Sequence, residues 1–109
     1  MTDLPVLNAQ QALFRLGNHQ PLYQRLLTLF DKQAHEVLSQ VESNHPLTVM
    51  SAHTLKGSAA EIGAERLREV MQQAEYAIRK DGTADPQLLI RISTELLHVR
   101  KEIARYLQD

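Results

Sequence analysis

The chain has 109 residues, 43% hydrophobic and 23% charged, with a formal net charge of −1 and no cysteine. That length suits one domain able to remove about 60–70% of its unfolded surface from water. The lack of cysteine excludes disulfides, thiol catalysis and cysteine-based zinc sites. Near-neutral charge and only five aromatic side chains, two Phe and three Tyr, argue against charge-driven nucleic-acid or membrane binding and against a base-stacking surface.

Turn signals fall at Gly17-Asn18, at Ser43 to Pro46, at Gly63 and at Asp81 to Pro86. Between them apolar residues recur at helical spacing, with no strand-like alternation. Asn8 with Gln11 three residues on is a capping-box pattern that opens a short helix, and Gly17 is placed to end it. A long amphipathic helix is expected from about residue 19 to 42, its stripe formed by Leu22, Leu26, Leu29, Phe30, Val37, Leu38 and Val41. A third helix is expected from Pro46, a good first-turn residue, to Ile62, with Gly63 closing it. The fourth spans 64–80 with Leu67, Val70, Met71, Ala74 and Ile78 inward, and Asp81-Gly82 stops it. The last takes Asp85 as cap and Pro86 at its first position, with Leu88, Leu89, Ile92, Leu96, Val99, Ile103 and Leu107 as its stripe. The expected fold is all-α: an antiparallel up-down-up-down four-helix bundle with a short additional N-terminal helix, forming a single domain over 1–109.

The third helix carries the chemistry. Residues three and four apart share a helix face, so His53, Lys56, Gly57 and Ala60 form one strip. Ala52, Leu55, Ala59 and Ile62 form another, and this apolar side must be the buried one. His53 then presents an accessible imidazole, a competent nucleophile when neutral. A lysine ammonium one turn away disfavours ring protonation and attracts a phosphoryl group. Gly57 costs the helix roughly 1 kcal/mol relative to Ala and removes the side chain that would stand beside the ring, leaving room for a large partner. Taken singly, each residue has a plainer explanation. A lone helical histidine is most often an unremarkable surface residue, a glycine can serve close helix packing, and a lysine can be a solvated charge. The spacing i, i+3, i+4 gives the three their weight. His19 and His45 fall in turns, while His35 and His98 lack metal-ligand spacing and have Glu36 and Glu102 as ordinary partners. No nucleotide-binding loop occurs, so the chain has no evident means of phosphorylating itself.

"AHTLKGSAAEIGAERL", residues 52–67, resembles the signature of histidine phosphotransfer (HPt) domains, the relay modules of multistep two-component signalling. Ala52, His53, Leu55, Lys56 and Gly57 fill its first part, and Gly63, Ala64 and Leu67 its second. Ala74-Glu75 stands where the family has a larger apolar residue followed by Glu or a similar side chain. Residues 12–30, "ALFRLGNHQPLYQRLLTLF", are similar to the family's approach to its first long helix. The resemblance implies that His53 accepts a phosphoryl group from the aspartyl phosphate of one response-regulator receiver domain and passes it to the aspartate of another. Lys56 would neutralise phosphate charge, Gly57 would admit the receiver, Glu75 would orient the imidazole, and Ala60 would lie on the docking face. It implies a carrier without kinase activity or bound metal, the Mg²⁺ being the receiver's. A monomeric, cytoplasmic module without nucleic-acid or membrane contact is expected. The abrupt opening "MTDLPVLN" suits the C-terminal module of a hybrid sensor histidine kinase.

Two other classes fit parts of the sequence. "AAEIGAERLREV" resembles a helix-turn-helix with residues 64–80 as recognition helix, although that segment holds four Arg/Lys against three Glu. A non-catalytic helical interaction module is the other alternative.

Overall fold

A computed structural model describes residues 3–108; Met1 and Thr2, where the opening motif begins, and Asp109 lie outside the described residues. The chain forms five helices: α1 (Ala9–Arg15), α2 (Gln20–Glu42), α3 (Val49–Ile62), α4 (Glu65–Asp81) and α5 (Pro86–Gln108). Among the described residues there is no strand. The four long helices make the bundle, with α3 against α4, α4 against α5, α5 against α2 and α2 against α3, and α1 lies across α2 and α3. None is long and apolar enough to cross a membrane, among the described residues.

Local chemistry explains most of the helix ends. Asn8 accepts the Gln11 amide at 3.2 Å and caps α1, and Asp85 accepts the Leu88 amide at 2.8 Å ahead of Pro86. Gly63 and Gly82 close α3 and α4 in the left-handed region, at φ 88° and 82°. His19 caps α2 through Nδ1, which accepts the Leu22 amide at 3.1 Å. Pro46 does not start α3: Thr48 is its cap, accepting the Ser51 amide at 3.0 Å. A hydroxyl that can bond an unpaired first-turn amide decides the start, while proline merely tolerates a first-turn site.

The inward faces of α3 and α4 match the expected stripes, with Leu55, Leu67, Met71 and Ala74 fully buried. The phase of α2 differs from expectation. Its buried residues are Tyr23, Leu27, Phe30, Ala34, Val37 and Leu38, whereas Leu29 is 57% exposed and Leu22 lies outside the core. Tyr23 displaces the leucines because its ring is buried against Tyr106, centroids 5.3 Å apart, while its hydroxyl donates to the Ile62 carbonyl at 2.8 Å. A buried phenol with a partner is as good a core residue as leucine. Burial raises the Tyr23 phenol well above its ordinary pKa. Leu107, expected in the α5 stripe, is also exposed.

The end of α3 is therefore held from two sides, by Tyr23 and by the Asn8 amide, which donates to the Gly63 carbonyl at 2.8 Å. A Cβ at Gly63 would meet the Asn8 carbonyl oxygen at 2.5 Å, besides the unfavourable φ. Gly63→Ala should thus cost about 1–3 kcal/mol, seen as a lower urea midpoint together with faster amide exchange in α1.

Candidate functional site

The site lies where α3 and α4 pack together. Ala52, Ala59 and Ala74, each 0% exposed, lie in the buried faces of these helices. Small side chains let two helices approach closely. From that contact Glu75 reaches toward α3 and ends beneath His53. Its side chain is 11% exposed, a position that is costly for an unpartnered charge.

Three partners satisfy it. Lys56 Nζ lies 2.9 Å from Oε1. Arg79, one turn further along α4, donates to Oε2 from Nη2 at 2.9 Å and from Nε at 3.2 Å. His53 Nδ1 lies 3.2 Å from Oε2 and 3.3 Å from Oε1. The Lys56 and Arg79 hydrogen bonds pull the Glu75 pKa from 4.5 down to about 2, with a smaller pull from His53 and against the effect of burial. At neutral pH the carboxylate is ionised and can only accept. The neutral imidazole must therefore carry its proton on Nδ1, which leaves a lone pair on Nε2.

The His53 side chain is 59% exposed, and among the described residues Nε2 has no hydrogen-bond partner. The ring is thus held at one nitrogen and open at the other. Gly57 is exposed, and a Cβ built on it would meet nothing within 4 Å. No close helix packing within the chain requires that glycine. Ala60 is half-buried, and its carbonyl accepts from Arg15 Nη2 of α1 at 3.0 Å.

The structure brings His53, Lys56 and Glu75 into one contact set, with Gly57 one turn and Ala60 two turns further along the same strip of α3. Lys56 is not a free cation, since its ammonium is bound to Glu75. Arg79 is the member that sequence reasoning missed, although a Glu-to-Arg spacing of four on a helix is a readable signal. The remaining histidines stand apart. His35 Nδ1 lies 3.4 Å from Arg100 Nη1, and His98 pairs with Glu95 at 3.5 Å, in place of the Glu36 and Glu102 partners expected from spacing. Among the described residues no group of three or more His, Cys, Asp or Glu could hold a metal ion.

The depressed Glu75 pKa makes a stability prediction. A carboxylate more acidic folded than unfolded contributes stability above its unfolded pKa, and that contribution is lost as pH falls through the folded one. Between about pH 4.5 and pH 2, thermal melts of the Glu75→Gln variant should lose less Tm than those of the parent chain.

No curated protein and no solved structure matches the chain. The family model described as the Hpt domain matches residues 25–108, from the first turns of α2 to the end of α5. That span includes His53, Lys56, Glu75 and Arg79, and the chain belongs to the Hpt domain family.

Proposed function

We propose that the protein is a phosphorelay intermediate in which His53 takes a phosphoryl group from the aspartyl phosphate of one receiver domain and delivers it to the aspartate of another. Histidine phosphotransfer in phosphorelays is the role of the family. The observation that carries the specific reading is the His53 ring, hydrogen-bonded at Nδ1 and open at Nε2. Phosphoryl transfer depends chiefly on positioning and charge stabilisation. A fixed tautomer with an exposed lone pair is the part of that machinery a carrier must supply. The receiver contributes the aspartate and Mg²⁺.

In this reading Lys56 moves from Glu75 Oε1 to the phosphoryl oxygens as they arrive, a short swing for a flexible four-carbon stem. Gly57 and Ala60 form the floor on which the receiver sits, and Glu75 orients the ring. The module acts as a monomer in the cytoplasm, without nucleic-acid or membrane contact, and serves a hybrid sensor kinase. These settings rest on the family resemblance. The helix-turn-helix alternative is disfavoured because residues 64–80 carry four Arg/Lys against three Glu, and two of those cations, Arg66 and Arg79, are paired with Glu95 and Glu75. Sequence-specific retention of the domain on duplex DNA at low salt would revive it.

Three variants test the proposal. Incubated with a panel of radiolabelled phosphorylated receiver domains, the parent protein should gain an acid-labile, alkali-stable phosphate on His53. His53→Gln should gain none. Label that stays on every receiver, or that lands on another residue, would sink the reading, and undiminished function of His53→Gln would favour the non-catalytic interaction module. Gly57→Leu places a side chain in open space and should raise helix stability by about 0.8–1 kcal/mol. Transfer should nevertheless slow by roughly tenfold or more, because the receiver can no longer approach in line. A Gly57→Leu protein with a higher Tm and unchanged transfer rate would remove the clearance role. Lys56→Met should slow transfer while leaving the His53 tautomer unchanged in nitrogen NMR spectra.

A further inference from the structure

Lys56 cannot serve Glu75 and an incoming phosphoryl group at the same time. Its ammonium already bonds Oε1 at 2.9 Å. When it swings to the phosphate, Glu75 loses a cation as a negatively charged group arrives on the same ring. Burial and the nearby phosphate both favour a neutral carboxyl, which Glu75 would become by taking the Nδ1 proton, while the ring's new positive charge and any cation still bonded to the carboxylate oppose that. Arg79 lies on the other side of the carboxylate and holds Oε2 through two nitrogens of a rigid fork.

We infer that Arg79 is a positioning residue that keeps Glu75 ionised while His53 is phosphorylated, so that the Nδ1 proton stays on the ring through the whole transfer cycle. The inference rests on the phosphorelay reading and deepens it. On uptake, the Nε2 lone pair forms the N–P bond as the P–O bond to the donor aspartate breaks, its electron pair leaving with that carboxylate. The product is a phosphoimidazolium with the phosphoryl group on Nε2 and the original proton on Nδ1, hydrogen-bonded to Glu75. On delivery, an oxygen of the acceptor aspartate forms the new P–O bond as the N–P bond breaks, and that pair returns to Nε2. The ring is neutral again and carries the same proton. No proton enters or leaves, and imidazole departs as a neutral group.

The charged groups facing this region are few. Glu75 and Arg79 come from α4, and Lys56 and the exposed Glu61 from α3 itself. Glu36 of α2 lines a groove with Met50, Ser51 and Thr54 on the flank of α3 next to His53, and Arg15 of α1 is engaged with the Ala60 carbonyl. Of these, Glu75 is the group bonded to the ring. Arg79 is 60% exposed at its side chain, so replacing it leaves the core untouched.

The test loads His53 chemically with phosphoramidate, which needs no receiver, and follows the phosphorylated ring by phosphorus and nitrogen NMR between about pH 6 and pH 9. The parent protein should keep its Nδ1 proton across most of that range. Arg79→Met should lose it at a midpoint about one pH unit lower or more, Glu75→Gln should lose it at least as early, and Arg79→Lys should restore part of the difference. Delivery to a receiver should become more pH-dependent in Arg79→Met than in the parent. Identical ring titrations for the parent and Arg79→Met would overturn the inference. Should phosphoramidate not load the ring, the same comparison is made on unphosphorylated protein in a Lys56→Met background. There Arg79→Met should lower the share of the Nδ1–H tautomer, and an unchanged share would likewise overturn it. The two readings fail separately. Expected titrations without transfer to any receiver would defeat the phosphorelay role, whereas transfer with Arg79-independent titrations would defeat the proton-holding role alone.

Discussion

The site depends on one carboxylate. Glu75 is almost buried, and its position would be untenable without the donors around it. Lys56, Arg79 and His53 supply them from two helices. Because those helices are also the ones packed through alanines, the same contact that builds the core fixes the depth at which the carboxylate sits. The bundle positions the imidazole by holding its neighbour, and the ring itself remains outside. An exposed imidazole is thereby kept in one orientation without being enclosed.

Helix existence was legible throughout because period-3.6 patterning, glycine stops and side-chain caps agree at nearly every boundary. Asn8, Asp85, Gly63 and Gly82 each do in space what their residue type suggests. The errors have a common physical origin. Hydrophobicity alone places Leu22 and Leu29 in the core, yet the volume between α2 and the other helices is filled by Tyr23, Leu27, Phe30 and the small Ala34. Whether a tyrosine can be buried depends on an acceptor for its hydroxyl, here the Ile62 carbonyl on another helix. Such a pairing between residues far apart in the chain is invisible to periodicity. Pro46 misled for a related reason, since two residues met the requirements of a helix start and only the three-dimensional path chose Thr48.

Within the site, His53, Lys56 and Gly57 were readable because helix geometry makes i, i+3 and i+4 neighbours. The open space at Gly57 then removes packing as its explanation. Contact between His53 and Glu75 crosses two helices, and only the family resemblance suggested it. Arg79 was overlooked because a surface Glu-Arg pair is ordinarily worth little. Its importance comes from the unusual burial of the glutamate it holds, which no local pattern discloses.

The cluster also has an electrical consequence. With a neutral ring, the bonded trio of Lys56, Arg79 and Glu75 carries one net positive charge, Glu61 lying two turns of α3 away from His53. A transferred phosphoryl unit brings one negative charge with it, so the loaded site is neutral. In the proposed relay the empty cluster would attract an anionic phosphoryl group over roughly a Debye length of about 8 Å, and the loaded cluster would not. Attraction that disappears on loading favours parting from the donor once the group has crossed. In the proposed relay, arrival and departure would thus differ in the potential at the site, with one lysine side chain as the part that moves.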